Sequence, residues 1–280
     1  DHLDLHSFPT RRSSDLDWSV VDEAAQASIP STLIPILKAE RFVLVGDHYQ
    51  LPPVILSHEA KDLGLAQSLM AFLAEAYPYQ LMRLKRQYRM HQQINDLVSS
   101  MFYHGTLNPD DTVANQRLRR PNGTLAEPKK TPVIECINVH GLEKLYGDTK
   151  SYYNQAEIDK VQQVVTKYLK LGLDGQQIAI ITPYKAQAQL ITKALGAGDT
   201  LEVDTVDAFQ GREKDLVILS FVRSNRSGQV GFLKDFRRLN VSISRAKHKL
   251  ILIGNFDTLK EEPMFHELLE TISLIDGTLV

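Results

Sequence analysis

The chain has 280 residues, 43% of them apolar, which is enough for two modest α/β domains or for one and part of another. A formal net charge of −2 excludes a globally basic polyanion-binding surface, so any nucleic-acid contact has to be local, through loops and helix N-termini. The single cysteine, Cys136, excludes a disulfide framework and a cysteine-built zinc or iron–sulfur site. That suits a reducing, cytoplasmic or nuclear setting, and no apolar run nears the roughly 20 residues of a membrane span.

The first sixteen residues, DHLDLHSFPTRRSSDL, have neither helical nor strand periodicity, and their two arginines do not make a targeting peptide. From His6 to Leu16 they resemble the translation of a sequencing-library adapter. The segment 1–16 is therefore expected to be a non-native tail, with the natural gene extending upstream of Asp17. Beyond it, short apolar runs predict strands at 18–21, 42–45, 178–182, 216–221 and 250–254. Helical spacing predicts helices at 66–76, 91–103, 155–171, 185–195 and 263–272. The alternation implies a parallel sheet with crossover helices, with functional side chains at the C-terminal ends of strands. The stretch 106–132, rich in Asn, Asp, Pro and Arg, reads as a long loop or insertion. Its Arg117, Arg119, Arg120, Lys129 and Lys130 read as solvated loop charge before they read as a phosphate-contacting arm.

Two strand ends carry chemistry. The first predicted strand runs into Asp22-Glu23, a pair that suits nucleotide hydrolysis: one carboxylate for Mg²⁺, one to orient the attacking water. Alone, such a pair is more often a solvated turn or a helix N-terminus. The second strand ends in GDHYQLPP, where a glycine turn and two stiffening prolines hold Gln50 out over the sheet edge, as a γ-phosphate sensor would be.

Taken together, DEAAQ, GDHYQLPP, QYRMH, ITPYKAQ, VDTVDAFQGREKDLVILSFVRSN and LNVSISRAKHKLILIG resemble motifs II to VI of superfamily 1B helicases, in that family's order from Asp17 to about Thr258. The likeness implies RecA-like parallel sheets flanked by helices, a P-loop NTPase helicase fold. It implies the C-terminal part of a first RecA-like domain at 17–85, a second at 86–262 carrying the insertion at about 106–132, and a C-terminal helix and tail at 263–280. It implies ATP and Mg²⁺ as cofactors, single-stranded or forked DNA or RNA as partner, and 5′-to-3′ movement.

Carried onto this chain, the resemblance makes Glu23, Gln50, Arg89 and Arg245 catalytic, and Asp22 the Mg²⁺ ligand. Arginine suits the two γ-phosphate contacts because its charged fork binds phosphate oxygens bidentately. Tyr184 would stack on adenine, Gly211 turn the chain beside the nucleotide, and Glu213 meet the ribose; Thr182 and Thr205 would face the nucleic-acid backbone. Residue chemistry alone leaves Tyr184 equally readable as core or rim packing.

The G-x-x-x-x-G-K-[ST] phosphate loop does not occur in the chain, which has no Gly-Lys pair, so the polypeptide as written is expected neither to hydrolyse ATP well nor to unwind. GDHYQLPP and DFRRLN lean toward the replication nuclease-helicase branch, hence DNA, over the nonsense-mediated-decay RNA branch. Two other classes compete: a non-catalytic nucleic-acid or ATP-binding module, and a metal-dependent nuclease built on Asp22, Glu23 and Asp204, which lacks a nearby His or Lys cluster.

Overall fold

The structure, a computed structural model, describes residues 16–196 and 200–279. The adapter-like tail, apart from Leu16, lies outside the described residues. The chain divides into two compact units, Asp1–Arg83 and Leu84–Val280.

In the first unit, β1 (Leu16–Val21) and β2 (Ala39–Leu44) pair in parallel from Leu16↔Ala39 to Val21↔Leu44, joined across by α1 (Ile29–Ile36). Ser28 starts that helix by accepting from the Ser31 amide, and Pro30 sits in the first turn, where no amide hydrogen is needed. Then come α2 (His58–Asp62) and α3 (Leu69–Ala76). The last starts three residues later than its apolar period suggests, because Ser68 caps it through the Ala71 amide at 3.1 Å. Ala24, Ala25 and Met70 form a small core, while Trp18, Val20 and Phe42 are exposed. Parallel strands are ordinarily covered on both faces, so β1 and β2 present apolar surface of the kind that further protein covers.

The second unit opens with β3 (Arg86–Gln87), α4 (Gln92–Phe102), β4 (Asn108–Pro109), α5 (Asp111–Ala114) and β5 (Ile134–Asn138). A hairpin of β6 (Lys144–Leu145) and β7 (Tyr152–Tyr153) leads to α6 (Gln155–Lys170), β8 (Ile178–Thr182), α7 (Lys185–Leu195) and β9 (Glu202–Thr205). After them come α8 (Val206–Phe209), β10 (Lys214–Ser220), α9 (Phe236–Ile243), β11 (Ala246–Gly254), α10 (Phe256–Leu259), α11 (Pro263–Leu274) and β12 (Thr278–Leu279). Six strands make one parallel sheet in the order β12-β5-β11-β10-β8-β9. This is the parallel α/β class that the alternating pattern implied.

Both faces of the sheet are covered. Ile158, Val161, Val165 and Tyr168 of α6 recur at helical spacing and pack with Ile191 of α7 on Ile180, Ile218 and Ile251. Alternation turns Ile181 and Leu219 to the other face, where Leu239 of α9 and Phe265 of α11 lie. The strand β5 was not legible because Glu135 interrupts its apolar run, yet that carboxylate is paired with the buried ammonium of Lys249. The 106–132 stretch is likewise more than a loop. It contains α5, buries Val113, Leu118 and Ala126, and its Arg120 donates from Nε to the Leu171 carbonyl at 2.6 Å.

Glu157 of α6 has no access to solvent; it accepts from Ser220 Oγ at 2.7 Å and from the Val222 amide at 2.9 Å. Burial pushes its carboxyl up to about 8, against an ordinary 4.5. For an acid raised on folding, the stability it contributes is complete below the unfolded value and is lost as pH rises through the folded one. The urea midpoint is therefore expected to fall between pH 4.5 and about 8, and E157Q to flatten that slope. An unchanged slope in E157Q would remove Glu157 as its cause.

Candidate functional site

In the first unit the two strand-end loops touch. The Ala24 amide donates to the Val45 carbonyl at 2.9 Å, and the Val45 amide to the Val21 carbonyl at 2.8 Å. A Cβ on Gly46 would stand 3.1 Å from the amide nitrogens of both Ala24 and Ala25, so only glycine lets the second loop lie this close to the first. Glu23 has φ of 51°, a left-handed conformation that costs a side-chain-bearing residue about 1–2 kcal/mol. Its amide donates to Asp22 Oδ1 at 2.8 Å and its carboxylate accepts from the Gln26 amide group. Backbone strain at a carboxylate beside a strand end is a feature of functional sites. Gln50 is aimed by Asp47, which takes its Nε2 at 2.9 Å and the Tyr49 amide at 3.0 Å.

Among the described residues no three His, Cys, Asp or Glu side chains gather as a metal cage. The exposed Asp22 suits Mg²⁺ all the same, because that ion is commonly held by one or two carboxylates together with substrate phosphates and water. Asp204, the third acid of the nuclease alternative, is already taken by Arg212 at 3.1 Å and by the Thr205 amide at 2.8 Å.

In the second unit the charged residues collect at the N-terminal ends of β10 and β11, opposite to where strand-end reasoning placed them. Register sets Lys214 beside Ala246, so Glu213 and Arg245 enter the sheet side by side. The segment before α4 is tied to the same place by the His91 amide, which donates to the Lys247 carbonyl at 2.8 Å. Arg89 Nε is paired with Glu213, and its NH1 donates to the Ser244 carbonyl at 3.3 Å. Lys247 takes the other Glu213 oxygen at 2.8 Å. Arg245 is buried, bonded to the Val241 carbonyl at 3.1 Å, Ser244 Oγ at 3.1 Å and the Arg212 carbonyl at 3.3 Å. Arg89 and Arg245 thus meet at Ser244. Gly211, at φ of 82°, has open space where a Cβ would be, so its part is the turn that delivers Arg212 and Glu213.

The other edge of this sheet holds Thr182, Tyr184 and Thr205, with Thr182 paired to Thr205 across β8 and β9. Here the structure corrects two readings. Thr182 has no exposed surface, and its hydroxyl is enclosed without a hydrogen-bond partner among the described residues, so it does not face a ligand. Tyr184 is only 4% exposed: its ring lies 4.6 Å from that of Phe232 and 5.6 Å from that of Tyr152, which leaves no face for adenine. Within these motifs the tyrosine that stands open is Tyr88, 66% exposed and next to Arg89. The available signal for it in the sequence is its place in QYRMH, directly before Arg89.

The AAA domain family matches residues 65–257, and a second AAA domain family matches residues 5–58. The chain belongs to the superfamily 1 helicases. It is 40% identical over 259 residues to "Regulator of nonsense transcripts 1 homolog" of Neurospora crassa, covering 89% of this chain and 23% of that protein. It is 39% identical over 274 residues to "ATP-dependent helicase NAM7" of Saccharomyces cerevisiae, covering 93% and 28%. With "DNA replication ATP-dependent helicase/nuclease dna2" of Schizosaccharomyces pombe it shares 35% over 287 residues, covering 95% and 20%. The chain therefore spans between a fifth and somewhat over a quarter of these relatives.

Desolvation alone would raise the Glu213 pKa, but the Lys247 hydrogen bond and the Arg89 charge together hold it below the ordinary 4.5. An acid lowered on folding contributes stability above the unfolded value and loses it as pH falls through the folded one. E213Q is expected to be less stable than the parent at neutral pH, with the gap closing below pH 4.5 and shrinking in high salt because the pair is a third exposed. A gap insensitive to both would show that Glu213 is not held by its two cations.

Proposed function

We propose that the protein carrying this chain is an ATP-dependent helicase that moves 5′ to 3′ along single-stranded nucleic acid, DNA in preference to RNA. The observation that supports it most is the meeting of Arg89 and Arg245 at Ser244, with Glu213 on the first of them. Two arginines beside a carboxylate supply what a nucleoside triphosphate requires: cations for the transferring phosphoryl group, an acceptor for ribose hydroxyls. Tyr88 takes the place of Tyr184 as the adenine-stacking ring. Arg89 exchanges Glu213 for phosphate when nucleotide binds, and Arg245 exchanges its backbone carbonyls.

In the first unit, Glu23 orients the attacking water and accepts its proton, while Gln50, aimed by Asp47, senses the γ-phosphate. Asp22 would hold Mg²⁺, and that ion would supply charge neutralisation for the nucleotide's phosphates. Thr205, partly exposed at the opposite edge of the second sheet, contacts the nucleic-acid backbone. The preference for DNA rests on the likeness of GDHYQLPP and DFRRLN to the replication nuclease-helicase branch. Without a G-x-x-x-x-G-K-[ST] loop to cradle phosphates, the polypeptide as written is expected to hydrolyse ATP poorly and not to unwind.

The test is ATP hydrolysis by the full-length protein, with and without single-stranded DNA or RNA. DNA is expected to stimulate more than RNA, and E23Q to abolish stimulated turnover. R89A and R245A are each expected to lower kcat by roughly three orders of magnitude or more. Y88A is expected to raise KM for ATP while leaving kcat near normal, since adenine is held alike in ground and transition states. Greater stimulation by RNA would overturn the polymer preference, and no stimulated turnover would favour the non-catalytic binding module.

A further inference from the structure

The buried Tyr184 raises the question of what its burial is for. Just beyond β10, Val222 has φ of 73°, a conformation that β-branched residues rarely adopt. Side chains take both of its polar groups: its amide donates to Glu157 Oε2 at 2.9 Å, and its carbonyl accepts from Asn154 Nδ2 at 3.3 Å. The turn so held sends Arg223 inward, where Glu143 pairs with it twice, Nε to Oε2 at 2.9 Å and NH2 to Oε1 at 3.0 Å. Its remaining nitrogen donates to Tyr184 Oη at 3.2 Å, and its guanidinium lies over Tyr152 at 4.7 Å.

Gly231 closes the next layer. At φ of 62° it passes so near Arg223 that a Cβ would stand 2.5 Å from NH1, so only glycine lets the chain fold over at this point. Phe232 is thereby set against Tyr184, centroids 4.6 Å apart, and still keeps 43% of its surface open. Phe236 is equally exposed four residues on. Cations interleave with these rings: Arg238 lies 5.4 Å from the centroid of Phe232 and Arg237 lies 5.8 Å from that of Phe236, with Lys234 between. Each is paired with an acid, Lys234 with Glu262, Arg237 and Arg238 with Asp235, and Arg238 also with Asp207. Partly exposed pairs of this kind exchange readily for another anion.

An open aromatic ring on a buried, hydrogen-bonded backing, with cations beside it, fits a planar base on an anionic backbone better than an apolar protein segment, which would leave those cations without solvent. We infer that Phe232 is a stacking platform for an unpaired base of single-stranded nucleic acid, with Tyr184 and Arg223 as positioning residues beneath it. The platform stands at the C-terminal edge of the second unit's sheet, the edge of Thr205 and the opposite one to Arg89 and Arg245. Stacking of this kind tolerates any base, so the subsite grips without reading sequence. The inference rests on the nucleic-acid reading above.

The experiment is equilibrium binding of a fluorescein-labelled oligothymidylate by the full-length protein, beside the same oligonucleotide carrying abasic residues throughout. F232A is expected to weaken the oligothymidylate roughly 5- to 150-fold and to leave the abasic strand unchanged, and F232W to restore binding. An equal loss on both strands would make the ring mere packing for Tyr184 and overturn the inference, as would no loss on either. A parent protein that bound neither strand would overturn the nucleic-acid reading itself, and this inference with it.

Discussion

A parallel sheet has no face to spare for water. Its strands run in one direction, so each connection has to cross back, and the crossing helices cover both surfaces. In the second unit this leaves β8, β10 and β11 almost wholly buried, with α6 and α7 on one side and α9 and α11 on the other. Chemistry is then confined to the two rims where strands begin and end. The rest of this structure follows from that confinement.

The two rims are differently equipped. At the starts of β10 and β11, Glu213 gathers Arg89 and Lys247, and Ser244 links Arg89 to Arg245. At the far rim Glu143 and Arg223 neutralise one another beneath a layer of aromatic rings, Glu157 holds the strained Val222 turn in place, and Lys234, Arg237 and Arg238 stay at the surface beside the outer rings. A charged rim suits polyphosphate, an aromatic one suits bases. The seven-residue strand β10 runs from one rim to the other, with Glu213 just before it and Val222 just beyond it, so the proposed nucleotide and nucleic-acid contacts would share one strand.

How much of this was legible in the chain depends on range. Strands such as Ile178–Thr182 and helices such as Gln155–Lys170 showed themselves because their apolar period is local and strong. The strand Ile134–Asn138 did not, since Glu135 becomes tolerable only once Lys249 arrives from more than a hundred residues away. Arg120 read as solvated charge for the same reason: beyond its nearby partners Thr124 and Leu125, it donates to the Leu171 carbonyl, 51 residues along the chain.

Residue order by itself determined the class of the protein. Six motifs in register need no coordinates, and local propensity with hydrophobic period sufficed for the parallel α/β architecture. Only the tertiary structure decided which members of those motifs stand open. ITPYKAQ and QYRMH each offer a tyrosine, and nothing in either string distinguishes them. Folding buries Tyr184 under Phe232 and leaves Tyr88 bare, because exposure is set by what packs from distant segments, here a glycine at 231 that allows its loop to close over Arg223.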